Sequence, residues 1–483
     1  MKRKMIGFIC VLLLLSMNVS AFSVKQPAGV DGSELDIVID VGILRFLEDV
    51  EAQDCFDVFV SVNVAGQVFY SDLFESVRSQ DMQFSRQLSI DSDQRFVPIV
   101  FEAFFIDEDG SEVMLDLDAD EGIGAVSIVF DVYTGRWSGE DFLGDISGFG
   151  RLNGCDDGSI YELQGDVELY FDISVVGCDG DGVPEWAEEV MLGTDPCVDD
   201  SLRDDDGDGV PLFWEYRFGF DPFVFEDHSV LDIDDDGLNN IEEFMTSQWG
   251  SDPFRDDLFL ELDQMEFGQN GEGYLMPEQS KEMLVEPFNR RNIVFHIDDG
   301  CMGGGELIPF EKKSWITNDK QQYQDYFLHG DANNWRRGVF HWGLVMYDHR
   351  PKLMKGYAFP GESMVTGSVL EGRNCFIVSS KSIMEKSGPG WPPCTFELAF
   401  ASVVMHELGH GLGVLGSVFP GCDNQKGRSP LGIGFWMYGD YVSCMNYRYC
   451  YRYMDYSDGS NGMRDFDDWS FMELARFQQP FNE

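Results

Sequence analysis

The chain has 483 residues, of which 43% are hydrophobic and 14% aromatic, so it can bury several cores, and its length predicts about three domains. Its formal net charge is −54. A charge this negative argues against nucleic acid or an anionic membrane surface as a partner.

The N-terminus has the pattern of an export signal. Lys2-Arg3-Lys4 precede an apolar run from Met5 to Met17, and Val19-Ser20-Ala21 follow as a small-residue cleavage site. The pattern predicts that residues 1–21 are a signal peptide and that the mature protein is secreted. The apolar run is too short to span a bilayer, and no later stretch approaches the roughly 20 apolar residues required, so we expect no membrane span.

The cysteines fit an oxidising compartment. Cys10 would leave with the signal, and ten cysteines would remain, so up to five disulfides are expected, with a pairing that the sequence does not reveal. No Cys-x-x-Cys pair occurs, which argues against a cysteine zinc cluster. The ten are Cys55, Cys155, Cys178, Cys197, Cys301, Cys375, Cys394, Cys422, Cys444 and Cys450.

Residues 22–176 have the period-two pattern of β-strands. In VFVSVNV (58–64) the valines share one face, and DVELYFDISV (166–175) alternates in the same way. Gly- and Asp-rich turns separate several such segments without an intervening helical pattern. The sequence therefore predicts an antiparallel β-sandwich module in which no catalytic pattern stands out.

Residues 177–257 form an acidic internal repeat. Between residues 179 and 263 there are 27 Asp and Glu against three Arg, which demands a counter-ion. Two segments fit the calcium-loop template D-x-D-x-D-G-x5-E, and a third, earlier copy has Gly177 in the opening position, so it should bind more weakly or borrow a ligand. The candidate ligands are Asp179, Asp181 and Glu188; Asp204, Asp206, Asp208 and Glu215; and Asp232, Asp234, Asp236 and Glu243.

The spacing suits Ca²⁺, which takes six to eight hard oxygens. Carboxylates at alternate positions of a tight loop converge on one point, a glycine permits the turn, and the last Glu binds from the start of a helix. Glycines recur at 182, 209 and 237, and aromatic residues are interleaved, which disfavours the alternative of a disordered acidic linker. The repeats resemble thrombospondin type 3 or dockerin-like calcium modules.

Residues 258–483 predict an α+β domain. The segments 292–298, 338–347 and 374–380 have the character of strands, and 467–477 that of a last helix. The segment 395–412 predicts a long helix with Thr395 as its N-cap, ended by Gly411 and Gly413. On it lies His406-Glu407-Leu408-Gly409-His410, an H-E-x-x-H pattern.

The spacing of this pattern places two imidazoles on one helix face. His406 and His410 can offer ring nitrogens to the same Zn²⁺, and Glu407 beside them can act as general base toward a water molecule and then as acid toward the leaving amine. The alternative is an amphipathic helix with solvated polar residues. Because the pattern interrupts an otherwise apolar stretch, we favour the metal site.

The C-terminal part of the chain resembles the metzincin metallopeptidases. Gly413 fits the glycine of H-E-x-x-H-x-x-G-x-x-H, and SCMNYRY (443–449) is similar to a Met-turn, with Met445 as its methionine. The order of DLFLELD, FHWGL, HELGH, PGCDNQ, SCMNYRY and DYSDG, after the acidic repeats, resembles secreted microbial metzincin-like proteins with thrombospondin type 3 repeats over roughly residues 178–470. The resemblance implies a zinc endopeptidase in which Tyr447 lies near the metal.

The chain departs from the metzincin pattern at the third zinc ligand. The pattern requires His or Asp at position 416, where this sequence has Gly416. Asp423 is the nearest candidate to replace it, with Asp440 and Asp455 further along, and His341 and His349 as ligands out of chain order. Two different outcomes also fit the sequence: a zinc ion held by two His and water, and a domain that has lost its metal.

Two functions follow from these patterns. The first is a secreted, calcium-stabilised zinc endopeptidase that acts on proteins or peptides, with Tyr447 as a hydrogen-bond donor to the oxyanion and segment 374–380 as an edge strand for the substrate. The second is a secreted calcium-dependent adhesion or binding protein with an inactive metzincin-like domain. Zinc content distinguishes them.

Overall fold

The structure is a computed structural model that describes most of the chain. The predicted signal peptide (1–21), Cys10, Cys55 and Cys155 lie outside the described residues. The described residues are 35–46, 56–77, 79–91, 94–107, 109–118, 124–141, 150–154, 167–291, 293–312, 314–315, 319–350, 356–359, 375–388, 394–425 and 433–474.

The N-terminal region consists of two antiparallel sheets. One is four-stranded in the order β10-β11-β1-β5, and the other is seven-stranded with the path β3-β2-β6-β8-β9, to which β4 and β7 add at β2 and β6. The strands are β1 Leu35–Phe46, β2 Phe56–Val64, β3 Gln67–Tyr70, β4 Phe74–Val77, β5 Ser79–Ile90, β6 Phe96–Ile106, β7 Glu112–Leu115, β8 Val126–Asp131, β9 Arg136–Gly139, β10 Gly150–Asn153 and β11 Val167–Val175.

The two sheets enclose one apolar core. Alternate residues of β2 (Val58, Val60, Val62 and Val64) and of β11 are buried in it. The predicted antiparallel β-sandwich is therefore confirmed, and the period-two pattern identified its buried face.

The acidic repeats follow as three loops, each leading into a short helix. We define acidic loop 1 as residues 177–188, acidic loop 2 as 204–215 and acidic loop 3 as 232–243. The helices are α1 Glu185–Ala187, which continues as a π-helical turn Glu188–Leu192, α2 Leu212–Phe218, and α3 Asn240–Thr246, which continues as a 3-10 turn Ser247–Trp249. The last Glu of each loop lies near the start of its helix, and the loop glycines 182, 209 and 237 have positive φ, as the turn requires.

The C-terminal region is an α+β unit built on a mostly parallel sheet. Its path is β13-β12-β16-β19-β18, with β14 beside β12, and only β18 runs antiparallel to its neighbour. The strands are β12 Asp257–Met265, β13 Val294–Asp298, β14 Leu307–Ile308, β15 Ser314–Trp315, β16 Phe340–Met346, β17 His349–Arg350, β18 Gly356–Phe359 and β19 Cys375–Ser379, of which β15 and β17 form a separate parallel pair.

The helices of this unit surround the sheet. They are α4 Glu278–Asn289, α5 Asp319–Gln322, which continues as a π-helical turn Tyr323–Phe327, α6 Ser380–Lys386, α7 Phe396–Gly411 and α8 Ile433–Met437; 3-10 turns occupy Trp335–Gly338 and Cys422–Asn424. Helix α7 packs against α4, α6, β18 and β19. Its N-cap is Thr395, whose hydroxyl accepts a hydrogen bond from the Leu398 amide, as predicted.

Two sequence-based predictions in this region are wrong. Within segment 374–380, Cys375–Ser379 forms β19, which lies between β16 and β18 and is therefore not an edge strand. The predicted helix 467–477 consists of turns as far as residue 474, where the description ends. Here Asp468 is buried and accepts hydrogen bonds from Tyr441 and Ser443, which fixes the chain in a non-helical conformation. None of the described helices is long and apolar enough to cross a lipid bilayer.

Candidate metal centres

Helix α7 buries its polar residues inside the C-terminal core. All residues from Ala399 to Gly411 are buried, including His406, Glu407 and His410. Apolar residues surround most of the helix, which is the pattern of a core helix rather than a surface one. Three ionisable groups in such a position need specific partners, because burial of an unpaired polar group is costly.

Both imidazoles are oriented by backbone carbonyls. The Nδ1–H of His406 donates to the Cys444 carbonyl at 3.0 Å, and the Nδ1–H of His410 donates to the Val414 carbonyl at 2.7 Å. In the neutral form of each imidazole these hydrogen bonds leave Nε2 with a lone pair, and both Nε2 atoms point toward Asp423. Hydrogen bonds of this kind fix the tautomer and ring orientation of metal-binding histidines.

Asp423 faces both histidines. Its Oδ1 lies 3.3 Å from Nε2 of His406, and its Oδ2 lies 3.7 Å from Nε2 of His410. The three side chains offer ligand atoms that all lie within 4.8 Å of one another. We call His406, His410 and Asp423 the helix cluster. Two nitrogens and one carboxylate oxygen are a donor set that fits Zn²⁺.

A turn after α7 explains how Asp423 reaches this position. The chain leaves the helix at Gly413, whose φ is +107°, and the 3-10 turn Cys422–Asn424 places Asp423 and Asn424 at positive φ, which Asp and Asn tolerate better than most residues. The Asp423 amide donates to the Met445 carbonyl at 3.0 Å, and the Asn424 side chain donates to Asn446 at 2.9 Å. The turn is therefore fixed to segment 443–447.

The third-ligand position of the metzincin pattern is filled in another way. A Cβ atom added to Gly416 would overlap Nε2 of Gln425 and lie 2.8 Å from its Cδ. The Gln425 side chain thus packs on Gly416, and a His or Asp at this position would have to displace it. Gln425 thus occupies the space beside Gly416, and Asp423, two residues before it, carries the carboxylate that faces the imidazoles.

The charges of the helix cluster are mutually balanced. Burial disfavours a charged His406, but the hydrogen bond and charge of Asp423 outweigh it and raise the pKa of His406 to about 9. Burial would raise the pKa of Asp423, but the His406 hydrogen bond and the two imidazoles hold it well below its usual range. A proton on His406 therefore serves as the counter-charge of Asp423 when no metal is bound.

Glu407 and Tyr447 lie beside this cluster. Burial raises the pKa of Glu407 to about 8, and the charge of Asp423 adds to the effect. The Tyr447 ring stacks on His406 with 5.3 Å between centroids, and its hydroxyl is hydrogen-bonded to Asp423. In this arrangement the hydroxyl is engaged by the candidate ligand, and its predicted role toward an oxyanion remains a prediction.

Met445 packs against helix α7 at Gly409. It is fully buried, and a Cβ atom on Gly409 would lie 2.6 Å from its sulfur and 2.7 Å from the Tyr456 ring. The Tyr456 hydroxyl donates to the Met405 carbonyl at 2.6 Å. At Gly409, the second x of H-E-x-x-H, segment 443–456 thus approaches the helix too closely to leave room for a side chain.

The remaining candidate zinc ligands lie elsewhere. Asp440 is exposed, and Asp455 accepts a hydrogen bond from the Trp469 indole at 3.0 Å. His341 lies in β16 and His349 in β17. Among the described residues, none of these four belongs to the group of three formed by the helix cluster.

The acidic loops gather their carboxylates as the repeat pattern predicted. Three groups have ligand oxygens within 4.8 Å of one another: Asp179, Asp181 and Glu188; Asp204, Asp206 and Asp208; Asp232, Asp234 and Asp236. Glu215 and Glu243 are buried at the ends of loops 2 and 3. Within the described part of the chain, several of these buried oxygens have no hydrogen-bond partner: Asp179 Oδ2, Glu188 Oε2, Asp206 Oδ2, Glu215 Oε1 and Oε2, Asp234 Oδ2 and Glu243 Oε1.

The electrostatics of the loops differ from those of the helix cluster. Burial, followed by repulsion between neighbouring carboxylates, raises the pKa of Glu188 to about 7 and the pKa of Asp236 to about 9. For Asp234 burial raises the pKa to about 8, and for Glu243 well above the usual range. Such groups are either protonated or neutralised by a cation. Converging, unpartnered carboxylate oxygens are a donor set that fits Ca²⁺.

Loop 3 is joined to the first strand of the C-terminal sheet. The Asp257 amide at the start of β12 donates to Asp236 Oδ2 at 2.7 Å, and the Asp257 carboxylate accepts from the Asp252 amide at 3.0 Å. Arg255 lies over the Tyr170 ring of β11 at 5.1 Å. The loop 3 carboxylates are thus in hydrogen-bond contact with the sheet that carries α7.

Cys178 and Cys197 are close in space. The Sγ atoms of Cys178 and Cys197 lie 2.7 Å apart at the edge of acidic loop 1. The expectation of up to five disulfides otherwise remains a prediction.

Sequence reasoning missed several residues of these sites. Asn424 and Asn446 hold the turn that carries Asp423, and the carbonyls of Val414 and Cys444 orient the imidazoles. His228 is grouped with Asp208 and Glu215 within 4.8 Å. Backbone carbonyls leave no signal in a sequence, whereas a histidine inside an acidic repeat is a visible exception.

Comparison with known proteins assigns no family. No family model matches the chain, and no curated protein sequence does. Among solved structures, human GIVD cytosolic phospholipase A2 has a TM-score of 0.19 and 11% identity, covering 30% of this chain; this chain covers 16% of that protein.

Two further solved structures show the same low level of similarity. A C2 domain of plant Extended Synaptotagmin 1 has a TM-score of 0.19 and 9% identity over 29% of this chain and 95% of that domain. A structure described for CC2D1B in nuclear envelope reformation has a TM-score of 0.21 and 15% identity over 34% of this chain and 62% of that one. Similarities this low identify no fold for the chain.

Proposed function

We propose that the protein is a secreted zinc endopeptidase of the metzincin-like type, stabilised by calcium at its acidic loops. The observation that carries the proposal is the position of Asp423. A carboxylate that faces Nε2 of both His406 and His410 supplies the third donor that the sequence lacks at Gly416. Two imidazoles and a carboxylate are also the ligand set of known catalytic zinc sites.

The residues of the helix cluster and their neighbours have separate roles in the proposed reaction. His406, His410 and Asp423 would hold the metal, and a bound Zn²⁺ supplies Lewis acidity toward a substrate carbonyl and a water molecule. Glu407 takes up a proton from the attacking water and gives it to the leaving amine. Burial raises its pKa in the metal-free protein to about 8. Tyr447 positions Asp423 through its hydroxyl.

The substrate would bind as an extended strand. In the described part of the sheet, β18 is the outer neighbour of β19, runs antiparallel to it, and contacts α7. An extended peptide can add to such an edge through main-chain hydrogen bonds. Strand β18 (Gly356–Phe359) therefore replaces segment 374–380 as the proposed substrate edge.

Zinc content and activity of the purified, calcium-loaded protein test the proposal. We expect one zinc held by the helix cluster, cleavage of unfolded casein, and a loss of about 10²–10⁴-fold in kcat with Glu407→Gln at unchanged zinc content. The matched control is Glu397→Gln, a half-buried residue on the same helix, which should retain activity. If zinc-replete protein holds no zinc at the helix cluster, or if Glu407→Gln cleaves casein normally, the proposal is wrong and the adhesion or binding function stands.

A further inference from the structure

A histidine from outside acidic loop 2 adds a nitrogen ligand atom to the carboxylates of the loop. His228 follows α2 in the chain, but its ring returns to the loop, where Nε2 lies 3.2 Å from Asp208 Oδ2 and 3.6 Å from Glu215 Oε1. All three side chains are completely buried. Ligands around a tetrahedral zinc ion lie about 3.3–3.6 Å from one another, given bond lengths near 2.0–2.2 Å. The three groups thus have the mutual spacing of metal ligands.

In the other two acidic loops the last Glu faces a hydroxyl group. In loop 1 the Thr194 hydroxyl donates to the last Glu of the loop, Glu188, at 3.3 Å. In loop 3 the Ser251 hydroxyl donates to the last Glu, Glu243. In loop 2 the last Glu, Glu215, faces an imidazole instead. The last Glu of the loop therefore has an oxygen neighbour in loops 1 and 3 and a nitrogen neighbour in loop 2.

Within the described residues, His228 Nε2 and both oxygens of the Glu215 carboxylate lack hydrogen-bond partners of acceptable geometry, whereas Asp208 Oδ2 accepts from the Glu226 amide at 3.3 Å. A fully buried nitrogen and two fully buried oxygens without partners are costly unless something neutralises them. A divalent cation between them would satisfy all three.

The other side of the imidazole is already oriented. The Asn240 side-chain amide lies 2.8 Å from His228 Nδ1, and its Oδ1 has no partner in the described part of the chain. Exchanging the amide O and N, which are nearly equal in size, lets Oδ1 accept from Nδ1–H and leaves Nε2 with its lone pair toward Asp208 and Glu215. This is the supporting contact typical of metal-binding histidines.

We propose that acidic loop 2 is a mixed nitrogen–oxygen site in which His228, Asp208 and Glu215 bind a borderline divalent cation of the Zn²⁺ class. Imidazole suits such cations, whereas Ca²⁺ takes oxygen ligands. Loops 1 and 3, which offer oxygens only, remain calcium sites. The three acidic repeats therefore bind two kinds of cation, a Zn²⁺-class ion at loop 2 and Ca²⁺ at loops 1 and 3.

The test uses the full-length chain with the helix cluster removed. The double variant His406→Ala/His410→Ala, kept in excess Ca²⁺, is titrated with Zn²⁺, and the bound zinc is examined by X-ray absorption. We expect one zinc per chain with a single imidazole in its shell. Because this variant has no helix cluster, the outcome is independent of the proposed peptidase activity.

A substitution assigns the imidazole. His228→Gln in the same background should lower zinc affinity at least about tenfold, because even supporting residues of metal ligands contribute about 10–100-fold. His329→Gln, an exposed histidine, is the matched control and should bind zinc normally. No zinc in excess Ca²⁺, a shell of oxygens only, or equal affinity in His228→Gln would each overturn the proposal. The absorption spectrum of the chain with His228 intact decides even if the variant fails to fold.

Discussion

The helix cluster and acidic loop 3 differ in whether their charges are balanced by the protein itself. The helix cluster joins one carboxylate to two imidazoles, and its charges balance without a metal because His406 holds a proton against Asp423. Loop 3 joins only carboxylates, and burial together with their repulsion raises the pKa of Asp234 and Asp236 far above the usual range. The first site is prepared by the protein, whereas the second depends on protons or a cation.

This difference predicts where metal removal affects the fold. The helix cluster is held by hydrogen bonds to Cys444, Val414 and Met445 that need no ion. Loop 3 is hydrogen-bonded to the start of β12. Loss of its cation should therefore also destabilise the C-terminal sheet. Zinc removal should then change activity more than stability, and calcium removal the reverse.

The largest effect is expected from calcium removal. Each loop site contributes about 2.7 kcal/mol to the free energy of unfolding when the free cation is 100 times its Kd, so several sites together contribute more. EGTA should lower the melting temperature and expose residues 178–257 to proteolysis, and added CaCl₂ should restore both. Unchanged melting and proteolysis in EGTA would remove the calcium assignment and the contrast between the two sites.

The next effect concerns Asp423. Replacement by Asn removes the charge that faces both imidazoles and should weaken zinc binding at least about 100-fold, beyond what supporting residues contribute, with little change in calcium-dependent melting. Equilibrium dialysis against zinc buffers measures this in the His228→Gln background, which removes the imidazole of the zinc site proposed at acidic loop 2. Asp440→Asn, an exposed Asp on the following segment, is the control. Equal zinc retention in both variants would mean that another group supplies the third ligand.

Gly409→Ala tests the contact between helix α7 and segment 443–456. The added methyl would meet the Met445 sulfur at 2.6 Å and the Tyr456 ring at 2.7 Å, an overpacking that costs about 1–3 kcal/mol of the free energy of unfolding. Gly411→Ala, on the same helix with nothing within 4 Å, should be neutral or stabilising by up to about 1 kcal/mol. Urea denaturation compares them; equal stabilities would contradict the close approach of segment 443–456.

The sequence was a good guide wherever a short pattern determines the structure. Period-two alternation identified the sandwich strands, and the loop template identified the converging carboxylates, because both depend on residues close in sequence. H-E-x-x-H with Thr395 and Gly413 identified helix α7 and its limits for the same reason.

Long-range features were beyond the sequence. The position of Asp423 depends on Gln425 packing on Gly416 and on Asn424 bonding to Asn446, contacts between residues whose pairing no local pattern encodes. The edge of the sheet was misassigned because Cys375–Ser379 is apolar like any strand, and only its pairing with β18 shows that it is internal. The last predicted helix failed because buried hydrogen bonds to Asp468 overrode helical periodicity.

The pH dependence of the metal-free protein acts on both sites in the same direction. The carboxyls of Asp234 and Asp236 have folded pKa values of about 8 and about 9, above their unfolded values, so the folded state holds protons that the unfolded state has lost. His406, with a folded pKa of about 9, holds its proton above the unfolded value near 6.5.

In each case the folded state binds more protons than the unfolded state, so the free energy of unfolding falls as pH rises. The loss from the two carboxyls begins near pH 4 and ends near pH 9, and the loss from His406 falls between pH 6.5 and 9, at most about 1.4 kcal/mol per pH unit for each proton.

Melting curves of chelated protein should therefore shift downward from pH 6.5 to 9. Protein loaded with both Ca²⁺ and zinc should lack this shift, because bound cations already displace the protons. Calcium alone should remove only the part due to the carboxyls. A shift that survives calcium but not zinc therefore belongs to His406, and one that survives both would show that neither site is the titrating group.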